Sequence, residues 1–216
     1  MAPTRQVINS AWVTDFLQYV LDGNQSFTVL IVCAARDAFL EQLLAAVHHQ
    51  TTESAGHQLL MKTLGMLSST RNTRTVFCPT LEHLRAYLAT GVASRVPVVE
   101  GKEQTKALLT ILNPLSLHLS TREFSAQGLS RTVANAVEVS SRMNMDIVLC
   151  ECRDSLDPTN DERGEALWYV DVPLLSNSQR AAAEGSHWPG RAVPIKRIVQ
   201  RWFQFTGLSK KGYMNS

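Results

Sequence analysis

The strongest constraint on this chain's fold is a set of short apolar runs that alternate with helix-patterned segments. Phe27–Cys33, Lys106–Leu112 and Asp146–Cys150 carry apolar residues at consecutive positions, so both faces of each strand must be covered. Thr75–Cys78 is a shorter run of the same kind, closed by Pro79. Helical spacing fills the gaps between them. Residues 9–21 place apolar side chains at 12, 13, 16, 17, 20 and 21, with Ser10 as cap and Gly23–Asn24 as stop. Arg36–His49 offers Leu40, Leu43, Leu44 and Val47 as one stripe, and His57–Ser69 follows after a polar loop at 50–56. Thr80 caps a helix that ends at Gly91, and a long helix spans Ser125–Asn144 with Leu129, Val133, Ala136, Val137 and Ser140 inward.

Strand and helix in alternation define an α/β protein with a mainly parallel central sheet and helices on both faces. Residues 92–104 read as loop, with an extended piece at Val96–Val99. Leu115–Gln127 reads as irregular and polar, and 151–166 as an exposed charged loop. Beyond them Trp168–Leu175 and Ala192–Phe205, linked by the turn-rich Gly185–Gly190, are rich in β-branched and aromatic residues. They predict antiparallel C-terminal strands at one sheet edge. The expected organisation is a single α/β domain over 1–216. It comprises an N-terminal helix (1–24), core sheet and helices (25–150), antiparallel strands (167–205) and a flexible tail (206–216).

Twenty-one basic and 19 acidic residues give a net charge of +2, so only local charge clustering could mark a polyanion partner. No run approaches the roughly 20 apolar residues needed to span a bilayer, and the first residues lack a leader pattern. An intracellular setting, nuclear or cytoplasmic, is expected. Cys33, Cys78, Cys150 and Cys152 mostly end apolar runs, which predicts buried free thiols. Cys150 and Cys152 stand without a second ligand pair, so no zinc site is expected.

In open parallel sheets ligands bind at the carboxyl ends of strands. A phosphate loop at the end of Phe27–Cys33 needs glycines, a lysine and a hydroxyl residue. Cys33–Ala38 has none of them, and Arg36 is its sole cation. The run ending at Leu112 is followed by Asn113, where a magnesium-holding strand would place Asp. After Cys150 come Glu151 and Asp154, which read as solvated loop acids. The histidines at 48, 49, 57, 83, 118 and 187 form no ligand spacing. No catalytic residue, cofactor site or metal site is expected.

With those junctions laid out, the order of features resembles the RecA-like recombinase core and its degenerate paralogues. Phe27–Cys33 resembles the strand before the phosphate loop, and Ala107–Asn113 the strand that bears the magnesium acid. Ser116–Gly128 resembles the mobile loop, and Leu129–Asn144 with Asp146–Cys150 the helix and strand after it. The resemblance covers about residues 25–205 and carries neither nucleotide motif. It implies a non-catalytic, pseudo-ATPase subunit that works with protein partners, another RecA-like subunit among them, as an accessory factor in homologous recombination or DNA repair. The runner-up that the same resemblance implies is an Elongator-type accessory subunit in tRNA modification. A small α/β enzyme with an unrecognised active site is a third reading.

One segment could touch nucleic acid. Arg191, Lys196, Arg197, Arg201, Lys210 and Lys211 fall close together, interleaved with Trp202, Phe203, Phe205 and Tyr213. Cations with aromatics can hold a phosphate backbone and stack on bases. As a strand over 193–205 the segment would alternate its side chains between two faces, neither purely basic. The same charges would protect a sheet edge. Arg191, Lys196, Arg197, Arg201, Trp202, Lys210 and Lys211 are the candidate contacts with DNA, RNA or a protein partner.

Overall fold

The computed structural model describes residues 2–23, 25–51, 59, 64–92, 107–160, 163–175 and 191–207. Its centre is a six-stranded sheet in which every neighbouring pair is parallel. The strands are β1 (Arg5–Asn9), β2 (Thr28–Val32), β3 (Thr73–Phe77), β4 (Leu108–Leu112), β5 (Asp146–Glu151) and, after a two-stranded excursion, β8 (Gln204–Gly207). Their order across the sheet is β3-β2-β4-β5-β1-β8. β2 and β4 are buried at all five positions, because helices cover both of their faces.

Alternation along the strands divides the core. Val7, Val29, Ile31, Ile111, Ile147 and Leu149 face one layer. That layer is α4 (Leu81–Ala86), α5 (Pro114–Leu119), α6 (Ala126–Arg142) and α7 (Ile195–Val199). Ile8, Leu30, Val32, Leu112, Val148 and Cys150 face the other, packed by α1 (Val13–Asp22) and α2 (Arg36–Thr51). α3 (Leu64–Arg71) leads into β3. The cap at Thr80 forms as expected, and Ser125 caps α6: each hydroxyl accepts from a backbone N–H three residues on, His83 and Gly128. Gly91 ends the π-helical turn that continues α4. Among the described residues no helix is long and apolar enough to cross a membrane.

Several sequence expectations are corrected. The N-terminal segment is not helix alone, because β1 precedes α1 and lies between β5 and β8. Only Val7 and Ile8 are apolar there, so the strand exists through its neighbours, not through its own pattern. Ser10 does not cap α1: its hydroxyl donates to the Trp12 carbonyl at 2.9 Å, and Trp12 takes the cap position. In α2, Leu40 and Leu44 are 40% and 61% exposed while Phe39 and Ala46 are buried. The helix is rotated so that Phe39 meets Phe77, with ring centroids 5.8 Å apart.

Leu115–Gln127, expected as irregular, contains α5. Asn113, at φ 59 and ψ 42, makes the left-handed turn that starts it. At the C-terminus the antiparallel strands shrink to β6 (Asp171–Pro173) and β7 (Ala192–Pro194), which pair with each other in a separate small sheet. Trp168 lies instead in a 3₁₀ turn, Gly164–Tyr169. The expected strand over 192–205 is broken by α7. Ile195, Ile198 and Val199 are buried at i, i+3 and i+4, a helical period that outweighs β-branched composition. β8 then joins the main sheet parallel to β1, not antiparallel at its edge. Val96–Val99, Gly185–Gly190, His57 and most of the 50–56 and 206–216 segments lie outside the described residues.

Candidate functional site

Register alone brings a row of polar groups to the carboxyl edge of the sheet. Val32 pairs with Phe77 and Leu112, Leu112 with Cys150, and Glu151 with Asn9. The next level along the strands is therefore Cys78, Cys33, Asn113, Glu151 and Asn9. β2 continues to β3 on one side and β4 to β5 on the other, so the crevice for a ligand falls between Cys33 and Asn113.

Backbone pairing runs on past the strand ends around this crevice. The Cys33 N–H donates to the Leu112 carbonyl at 3.0 Å and the Cys78 N–H to Val32 at 2.8 Å. The Asn113 N–H donates to Cys150 at 2.7 Å, and its side-chain Oδ1 accepts from the Cys152 N–H at 2.8 Å. Asn113 thus ties β4 to β5. Cys33 is 6% exposed and Arg36 stands in solvent at the start of α2. β1 adds a strand end that sequence reading did not include, Asn9–Trp12, and it too has neither glycine nor lysine. The Ala11 carbonyl there accepts from the Arg153 N–H at 3.0 Å.

Glu151 overturns the expectation of a solvated loop acid: it is fully buried. Its carboxyl accepts from the Leu115 N–H and, at 2.9 Å, from the Ser116 hydroxyl. These are first-turn donors of α5, which Asn113 leaves uncapped. Burial pushes its pKa up to about 8 against the pull of those donors and of Arg163. Asp154 does a different job. Its Oδ1 accepts from Gln42 and from the N–H groups of Leu156 and Asp157. Burial opposes its charge, yet those bonds hold its carboxyl below the usual range.

A second polar cluster, missed by sequence reading, lies between α4, α5 and α6. His118 is fully buried, with Nε2 3.1 Å from the Thr132 hydroxyl and Nδ1 3.3 Å from the Glu123 carbonyl. Arg85 donates to Thr132 Oγ1 at 3.1 Å, Glu123 Oε2 at 3.1 Å and the Gly128 carbonyl at 3.0 Å. Burial lowers the His118 pKa to about 4, so the ring is neutral. The only sequence signal was a histidine amid leucines, Leu115, Leu117 and Leu119. Beside this cluster a cavity of about 20 Å³, lined by His118, Thr132, Trp168 and Val199 among others, has room for about one water.

All four cysteines are free and buried, as expected. Cys150 and Cys152 sulfurs lie 3.7 Å apart. Among the described residues no three His, Cys, Asp or Glu side chains converge as metal ligands. Of the basic-segment candidates, Arg191, Arg197 and Arg201 are exposed, while Lys196 and Trp202 are half-buried. Lys210 and Lys211 lie outside the described residues.

Comparison with known proteins supplies a family. No curated protein matches the chain. A family model described as SPAC22G7.03-like matches residues 6–159, from β1 through the loop after β5. The match takes in the whole polar row at the sheet edge and leaves out β6, β7, α7 and β8. The chain belongs to the SPAC22G7.03-like family.

Proposed function

We propose that this chain is a non-catalytic subunit that acts through protein partners, with homologous recombination or DNA repair as the setting that its RecA-like resemblance implies. One observation carries the reading: the two polar groups that end β4 and β5, where nucleotide chemistry needs a free ligand, are consumed by the fold itself. Glu151 holds the first turn of α5, and Asn113 holds the β4–β5 edge. Phosphate and magnesium chemistry needs donors and carboxylates that face an open crevice. A group already bonded inside the core offers neither. The architecture would then serve contact, and partners would recognise its surface.

Affinity purification of the intact chain from its native cell tests this. Stoichiometric recovery of a second RecA-like subunit is the expected result. A chain recovered alone and monomeric would overturn the partner reading, and recovery of tRNA-modification subunits would move the setting to an Elongator-type complex. Titration calorimetry with ATP and Mg²⁺ should show no saturable heat. Micromolar binding with turnover would replace the proposal by an enzyme.

A further inference from the structure

We infer that α7 and its flanks form a docking surface for the phosphodiester backbone of a single-stranded nucleic acid, a property that goes beyond protein partnering. Charge is unevenly divided along the chain. Residues 191–216 hold six of the 21 basic residues and none of the 19 acids, which leaves the rest of the chain at −4. Such asymmetry marks a segment that meets a polyanion.

The fold turns this composition into a surface. α7 buries Ile195, Ile198 and Val199, which leaves Arg197 exposed on the helix, and Arg201 is exposed in the turn that follows it. The turn after α7 is held by the Gln200 N–H on the Lys196 carbonyl at 2.9 Å and the Phe203 N–H on Val199 at 3.0 Å. Arg85, Arg131 and Arg142 each lie within 4 Å of a carboxylate. Arg191, Arg197 and Arg201 have no such partner among the described residues. Three exposed guanidinium forks without carboxylate partners among the described residues match phosphate oxygens.

An aromatic platform adjoins them. Tyr169 is 57% exposed. The Lys196 ammonium sits 4.6 Å from its ring centroid, 5.2 Å from that of Phe205, and donates to the Tyr169 hydroxyl at 3.1 Å. Lys196 therefore positions the ring, and the exposed part of Tyr169 can stack on a base. A membrane surface fits less well, since the apolar side chains of α7 are spent in the core and none is left to enter lipid.

The test measures binding of the full chain to fluorescein-labelled 30-mers of oligo(dT) and oligo(U) across a KCl series. Both should bind, with the affinity falling steeply as salt rises. Arg191→Glu/Arg197→Glu/Arg201→Glu should weaken binding at least tenfold at low salt. It should also reduce the slope of log K against log salt by about two, at ~0.7 for each phosphate no longer neutralised. The triple Lys variant should keep the slope, and triple Gln, with an unchanged melting temperature, should lose it as the Glu set does. Tyr169→Ala should weaken binding about fivefold or more with the slope unchanged. A preference between the two oligomers that persists when oligo(dU) replaces oligo(dT) would identify the sugar. A wild-type chain that binds neither, one that binds phosphatidylserine vesicles or polyglutamate instead, or a Glu variant equal to wild type would overturn the inference. Partner recovery with the Glu variant is expected to persist, which separates failure here from failure of the subunit reading.

Discussion

At the residue scale, two buried ionisable groups, Glu151 and His118, make opposed predictions about pH. Glu151 has its pKa raised from about 4.5 to about 8, so its contribution is complete below 4.5 and is lost as pH rises toward 8. His118 is depressed from 6.5 to about 4, so its contribution is complete above 6.5 and is lost as pH falls toward 4. Each slope is about 1.4 kcal/mol per pH unit, and they oppose each other between 4.5 and 6.5. Chemical denaturation at stepped pH should therefore find a plateau there and a decline from 6.5 to 8. Glu151→Gln should flatten that decline. His118→Gln should uncover the Glu151 slope inside the plateau. Gly128 makes a steric prediction. Alanine usually favours a helix by about 1 kcal/mol over glycine, but a Cβ here would lie 2.1 Å from the Glu123 carbonyl oxygen. Gly128→Ala should destabilise by about 1–3 kcal/mol, read from the urea midpoint. A neighbour's carbonyl cannot be read from the glycine's own position in the chain, so neither this contact nor the burial of Glu151 was legible.

At the element scale, legibility followed how much of an element's stability is local. The α4 and α6 starts, at Thr80 and Ser125, were legible because a cap bonds within three residues. Thr80→Ala should cost about 1 kcal/mol, measured by thermal melting. β2, β4 and β5 were legible from continuous apolar residues. β1 and β8 were not, since each relies on strands far along the chain to complete its pairing. The face of α2 was misread by a fraction of a turn because several stripes of the helix are apolar enough to serve, and tertiary contacts, with Phe77, Trp12 and Thr14 among them, choose between them. Leu44→Asp on its exposed side should shift stability by no more than about 0.5 kcal/mol. Leu84→Ala, fully buried on α4, should cost about 2–5 kcal/mol in the same assay.

For the whole molecule, the C-terminal segment is part of the core and not an appendage. Trp168 is 1% exposed and meets Phe205 edge-on, with centroids 5.4 Å apart. Removal of residues 191–216 would uncover it and strip Ile195, Ile198, Val199 and Phe203 from the core. The truncated chain should lose its cooperative transition, checked by coincidence of far-ultraviolet dichroism and tryptophan fluorescence, although the family match ends at residue 159. The sequence by itself determined the α/β class, the parallel character of the sheet and the missing nucleotide loop, because apolar periodicity and residue chemistry are local properties. The tertiary structure alone decided strand order, the bonds that occupy Asn113 and Glu151, and the exposure of Arg197 and Arg201. Those depend on register and on burial between segments more than 30 residues apart, where no periodicity along the chain reaches.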